Sequence, residues 1–319
     1  MGFLLEVKDL RLYYRTIKGI VKAVDSVNFH LYRGETLALV GESGCGKTST
    51  ATAIIRLLPR NVDTYKGEII LEGVNIMQMD NEKFRREIAW RKISMVFQGA
   101  MNALNPVIKV GFQVAEPLIM HAKMEKSKAL SKAREFLELV GLPPFIADRY
   151  PHELSGGMKQ RVVIAMALAL NPSIVILDEP TSALDVITQA NIMNLLKKLK
   201  KESSLSYILI THDLALSSEL ADKIAVMYGG KIVEYGTSEQ IYLNAKHPYS
   251  QKLLASIPTL RTDKKLEFIP GAPPDLISPP PGCRFHPRCP YVMPICKEKE
   301  PSFQKIEENR YVACFLYGG

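Results

Sequence analysis

Apolar residues along this chain follow two kinds of pattern. In LLEVKDLRLYY and VDSVNFHLYR they alternate with polar residues, the period of a strand covered on one face. In ETLALV, SIVILDEP and SYILITHD they run without interruption, as in strands buried on both faces. KGEIILEGVNI reads as a strand pair and KIAVMYGGKIVEYG as a hairpin. Helical spacing fills the intervals. A helix is expected over roughly 47–58, closed by Pro59, and 81–140 reads as mainly helical with breaks at Pro106 and Pro117. Another helix begins after Ser155. Continuous apolar runs separated by helices predict an α/β fold with a parallel sheet covered on both faces.

The length of 319 residues suits one large domain plus an appendage, and 47% hydrophobic content is enough for a substantial core. Near residue 255 the composition changes. IPGAPPDLISPPPGCRFHPRCP cannot continue a helix or a central strand. Residues 1–254 are therefore expected to form one domain, and 255–319 a Pro-rich linker with a small Cys-rich module. The formal net charge of +8, with no block of five like charges, describes a mildly basic chain without a basic arm. The start MGFLLEVKDL turns charged within a few residues, unlike a secretory signal. Apolar runs such as 162–170 fall well short of the roughly 20 residues that span a bilayer. Five cysteines in a long chain of cytosolic character argue against a disulfide framework.

The apolar run ETLALV empties into Gly41-Glu42-Ser43-Gly44-Cys45-Gly46-Lys47-Thr48, which fits the phosphate-binding pattern G-x-x-x-x-G-K-S/T between a strand and a helix. Glycines let backbone N–H groups wrap phosphates, Lys47 reaches the β and γ phosphates, and the Thr48 hydroxyl suits Mg²⁺, with Ser49 following. SIVILDEP places Asp178 and Glu179 at the end of a buried strand, the edge where open α/β sheets bind ligands. Asp178 suits the Mg²⁺ shell and Glu179 the orientation or deprotonation of an attacking water. In SYILITHD the strand ends at His212 in the same way, within reach of a γ-phosphate role. Ser155-Gly156-Gly157 opens a helix whose free N–H groups suit an anion, although taken alone it is also an ordinary Ser-capped start.

Together, the glycine loop, Gln98 in VFQGAMNALNP, LSGGMKQR, ILDEP, SALD and His212 resemble the ATP-binding subunit of ABC transporters over about 5–250. The resemblance implies a P-loop NTPase of the ABC ATPase type. Its parts are a mixed core sheet, an antiparallel β subdomain and a helical subdomain over about 99–160 that docks on transmembrane partners. It implies that Ser155, Gly156, Gly157 and Gln160 of the signature serve ATP bound to the opposite subunit of a dimer. Gln98 joins Thr48 at Mg²⁺, Asp185 couples the two sites, and Tyr14 stacks on adenine. Two positions depart from the usual pattern: Cys45 stands where Ser is common, and Met158 where Gln is common. Met158, HPYSQKLLASIP and GCRFHPRCPY resemble one of the two ATPases of the oligopeptide, dipeptide and nickel importers. Such importers pair two non-identical ATPases with two permeases and a substrate-binding protein, which implies a peripheral place on the cytoplasmic membrane face. Peptide import leads, with nickel or another small solute as the alternative. Soluble ABC ATPases acting on nucleic acid carry a coiled-coil insertion or two ATPase domains, and this chain shows neither, so no nucleic-acid partner is expected. A sensor built on the tail alone leaves the complete catalytic set unused.

Cys283, Cys289, Cys296 and Cys314 follow the spacing C-x5-C-x6-C-x17-C in a Pro-rich, core-poor segment. Four thiols there suggest a tetrathiolate site. A 4Fe–4S cluster is favoured because close C-x2-4-C pairs, usual for zinc, are absent. Zinc is the alternative, with His286 able to replace a thiol, and four unligated buried cysteines are the third possibility.

Overall fold

The computed structural model describes residues 2–256 and 269–318. The chain divides into two compact units, 1–77 with 209–319, and 78–208.

The first unit opens with β1 (Leu5–Thr16) and β2 (Gly19–Leu31), paired antiparallel. Leu5, Val7, Leu10 and Leu12 are all buried, although the spacing slips by one residue between Val7 and Leu10. A bulge absorbs the slip. The register shifts there, Asp9 takes φ 44°, and its N–H donates to Asn28 Oδ1 at 2.9 Å. After β3 (Thr36–Val40) and α1 (Lys47–Ile54), β4 (Val62–Leu71) and β5 (Val74–Asn75) complete a four-stranded sheet ordered β2-β1-β4-β5. The helix α1 stops earlier than Pro59, where Arg56 turns to φ 55°.

The second unit holds α2 (Asn81–Glu87), β6 (Ile93–Val96), α3 (Val110–Ala122), α4 (Lys126–Leu139), α5 (Gly156–Leu168), β7 (Ile174–Asp178) and α6 (Val186–Ser203). Strand β6 interrupts the stretch expected to be helical. Its four residues are all buried and pair in parallel with β7, Ile93 opposite Ile174 through Val96 opposite Leu177. Helix α3 runs through Pro117, where a break was expected. Pro117 is buried with Val110, Val114 and Leu118, so packing of that face outweighs the lost backbone donor.

Strand β8 (Ser206–Thr211) leads back to the first unit, which continues through α7 (Leu214–Leu220), β9 (Lys223–Tyr228), β10 (Lys231–Thr237), α8 (Ser238–Asn244) and α9 (Pro248–Ala255). Strand β9 lies parallel to β3 and antiparallel to β10. The tail adds α10 (Pro294–Glu298), β11 (Gln304–Glu307) and β12 (Arg310–Val312), and β12 pairs with β10. The described tail residues group with the first unit, which gives no support to a separate Cys-rich module. Ion pairs hold them there. Arg310, 1% exposed, meets the fully buried Glu234 at 3.0 Å, and Arg284 pairs with Asp25. Breaking such a buried pair by removing one partner costs about 3–5 kcal/mol. Among the described residues, no helix is long and apolar enough to cross a membrane.

His247 caps α9 by accepting the Tyr249 N–H at Nδ1, 3.0 Å, and is 1% exposed. Burial pushes its pKa down to about 3 from 6.5. The unfolded chain therefore binds a proton that the folded chain refuses. Stability is complete above about pH 6.5 and falls as the pH drops from there toward 3. Between about pH 6.5 and 5 this one group removes about 2 kcal/mol. His247→Asn keeps a capping oxygen and removes the titration. Urea unfolding at about pH 7 and pH 5 should show a smaller acid loss in the variant by that amount, and equal losses would refute the assignment.

Candidate nucleotide site

The first unit builds the glycine loop. β3 is wholly buried and ends at Val40, and the loop then runs from Gly41 to Gly46 before α1 begins at Lys47. Gly41 has φ 150° and Gly46 φ 106°, and a Cβ on either would collide with a carbonyl, that of Met227 or that of Ala23. Only glycine permits this path. Lys47 is buried, and its ammonium donates to Gly41 O at 2.8 Å and Glu42 O at 2.9 Å. Cys45 Sγ lies 3.7 Å from the same nitrogen, and burial pushes the thiol up. It is therefore a protonated, sheltered group, poorly suited to reaction. Ser43, Gly44 and Thr48 are exposed and Ser49 is half-buried. Tyr14 is half-buried on β1 opposite Val21, while the neighbouring Tyr13 hydroxyl is committed to Asp25 at 2.6 Å. His212 follows β8 directly and is exposed.

The second unit brings the other expected residues to strand ends and helix starts. Gln98 and Glu179 follow the parallel neighbours β6 and β7, and Gln98 Nε2 donates to Glu179 Oε2 at 2.7 Å. Asp178 is buried as the last residue of β7, and Glu179 turns to φ 47°. Ser155 caps α5, its hydroxyl accepting the Met158 N–H at 3.3 Å. Gly157 lies so close to α6 that a Cβ would stand 2.6 Å from Thr188 Cγ2. Thr188 in turn donates to Asp185, from its N–H at 2.9 Å and its hydroxyl at 2.7 Å, and these bonds hold the exposed Asp185 carboxyl below the usual range. The signature and Asp185 therefore share one corner of the unit. Gln160 faces inward, 3% exposed.

Sequence reasoning missed the residues around Glu42. Tyr249 and Arg288 both bond it, and although HPYSQKLL and CRFHPRC were visible, nothing in them points to position 42.

Cys283, Cys289, Cys296 and Cys314 line one small cavity together with His286, Phe285, Met293 and Phe315. They do not form a site around a single metal ion. A single zinc ion draws its ligands to about 2.0–2.3 Å. Among the described residues, no group of three or more His, Cys, Asp or Glu stands close enough to hold a metal ion. Burial pushes the Cys283 thiol up to about 11 and raises Cys289 and Cys314. The 4Fe–4S expectation gains no support from this arrangement.

Residues 24–182 match the ABC transporter family, and 233–296 match the oligopeptide/dipeptide transporter C-terminal region. The oligopeptide transport ATP-binding protein OppD of Bacillus subtilis is 49% identical over 98% of this chain and 88% of its own length. The dipeptide transport ATP-binding protein DppD of Caldanaerobacter subterraneus is 44% identical over 99% and 98%. Among solved structures, the dimeric ATP-binding cassette MJ0796 in a post-hydrolysis state bound to ADP and Pi is similar. It has a TM-score of 0.65 and 30% identity, covering 73% of this chain and 98% of that one. The chain therefore belongs to the ABC transporter family, among the ATP-binding proteins of oligopeptide and dipeptide transport.

Proposed function

We propose that this chain hydrolyses ATP to energise import of dipeptides or oligopeptides through an ABC transporter. The observation that carries the reading is the near full-length similarity to peptide-transport ATP-binding proteins, at 49% identity with OppD. The geometry supports it. In the first unit a Cβ-free loop and buried Lys47 suit the phosphates of ATP, and Thr48 suits Mg²⁺; in the second, Asp178 and Gln98 carry the groups that the family's motif gives to Mg²⁺. Glu179, hydrogen-bonded to Gln98, orients or deprotonates the attacking water, and His212 meets the γ-phosphate. Tyr14, whose neighbour Tyr13 is already committed, stacks on adenine.

The phosphate at Ser155–Gly157 comes from ATP on the glycine loop of a second ATPase subunit, and Asp185 couples the two sites from the same corner. That second subunit is a homologous partner rather than an identical one. Two permeases dock on the helical segment of about 99–160, a substrate-binding protein delivers the peptide, and the chain sits peripherally on the cytoplasmic face of the membrane. For the tail two readings stand: a 4Fe–4S cluster held by the four cysteines that share one cavity, and four unligated thiols. A cluster offers each cysteine its own iron, so it does not need three thiols around one ion.

Three experiments test these assignments. Glu179→Gln keeps the side-chain size and removes the base, so ATP binding should persist while turnover of the assembled transporter falls about a hundredfold or more. Near-normal turnover would remove Glu179 from the chemistry. Ser155→Arg should leave ATP binding to the isolated chain intact and abolish ATP-driven association with the partner ATPase, measured by light scattering. Retained association with full turnover would reject the shared site. Anaerobically purified protein should carry about four irons with sulfide per chain and a broad visible absorption. Iron-free protein of full ATP-binding capacity would leave four unligated thiols.

A further inference from the structure

Glu42 is a carboxylate inside a loop assigned to phosphates. Left to itself it would repel a triphosphate. It is instead gripped by residues from far along the chain. Arg288 takes it with two parallel bonds, Nη1 to Oε2 at 2.7 Å and Nη2 to Oε1 at 2.9 Å. This is the paired geometry in which arginine binds carboxylates best. The Arg288 side chain is 5% exposed and that of Glu42 24%, so solvent screens the pair weakly. The guanidinium is itself fixed, donating from Nε to Pro270 O at 2.8 Å and from Nη1 to the Tyr228 hydroxyl at 3.3 Å. From another side, the Glu42 N–H donates to the Tyr249 hydroxyl at 2.8 Å. The Glu42 carbonyl accepts from Lys47 at 2.9 Å. One residue thus links a tail arginine to the lysine of the loop.

We propose that Arg288 is a positioning residue for nucleotide binding, which clamps Glu42, fixes the first turn of the loop and cancels a negative charge that opposes the phosphates. The proposal rests on the reading of Gly41–Thr48 as the nucleotide loop. It assigns the C-terminal region a part in setting ATP affinity from within the same subunit. Two effects follow from losing the clamp: the loop gains freedom, and an uncompensated carboxylate remains. The second distinguishes positioning from plain structural support, because removing the carboxylate as well should restore binding.

The experiment measures ATP affinity of the full chain by titration with a fluorescent ATP analogue, for Arg288→Met, Glu42→Gln and the double variant. Arg288→Met should weaken affinity about tenfold, a usual size for coupling between sites, and the loss should grow at low salt. The double variant should return to within about threefold of the parent, a non-additivity expected of groups in direct contact. Unchanged affinity in Arg288→Met, or a double variant that binds no better than the single one, overturns the proposal. Should Arg288→Met not fold, Arg288→Lys carries the test: it keeps the charge, loses the paired geometry, and should weaken affinity about threefold with the same rescue. Unchanged affinity in that variant also overturns the proposal. Lys47→Ala runs beside them. Loss of binding in Lys47→Ala with none in the Arg288 variants defeats only the positioning role. Intact binding in Lys47→Ala defeats the nucleotide reading beneath it.

Discussion

The nucleotide loop depends on one constraint: its backbone passes where no Cβ fits. Gly41 lies against the Met227 carbonyl and Gly46 against that of Ala23. Met227 is placed by the parallel register of β3 and β9, in which Val40 stands opposite Val226, and Ala23 by β2. The loop is therefore moulded by two neighbouring strands, and its glycines record how closely those strands approach. Such a loop presents its amides without reorganising, the condition under which backbone groups bind phosphate well. Lys47, folded over the carbonyls of Gly41 and Glu42, completes the arrangement.

The tail follows a different rule. Its composition is too poor in apolar residues for a core of its own, which made a separate module the natural expectation. The fold answers with arginines instead. Arg284, Arg288 and Arg310 are each buried and each meets a carboxylate of the first unit: Asp25, Glu42 and Glu234. Such pairs return little net stability over an apolar core, yet each penalises any arrangement that leaves a charge buried alone. The tail is thereby held in one register. Composition reports how much apolar surface a segment has, and it is silent about which distant carboxylates an arginine will meet.

The same distinction separates what was legible in the sequence from what was not. Short-range signals carried through. ETLALV and SIVILDEP became buried strands, the glycine loop sits between a strand and a helix, and Ser155 caps a helix. Signals that depend on tertiary packing did not. ISMV is too short for periodicity to separate strand from helix, and its parallel partner β7 decides the matter. Pro117 stays helical because its face is buried. The four cysteines line one cavity, but their spacing says nothing of how far apart the sulfurs stand.

Glu179 shows how the chain spends conformational energy at the residue assigned to the chemistry. It adopts φ 47° immediately before Pro180, where a non-glycine residue is strained and a residue preceding proline prefers extended backbone. Left-handed backbone of this kind costs about 1–3 kcal/mol and persists only where its surroundings over-determine it. Those surroundings are visible. Asp178 is anchored in a wholly buried strand, the Ser182 N–H and hydroxyl both bond back to the Glu179 carbonyl, and Gln98 holds the carboxylate. Extended backbone would continue the strand and turn the side chain to one face of the sheet. The left-handed turn takes it out of the strand at once and leaves it half-exposed at the strand end, beside the residue that follows the neighbouring strand. A position held against its own backbone preference by three separate restraints, and carrying the group proposed to meet a water, is where strain and chemistry are expected to coincide.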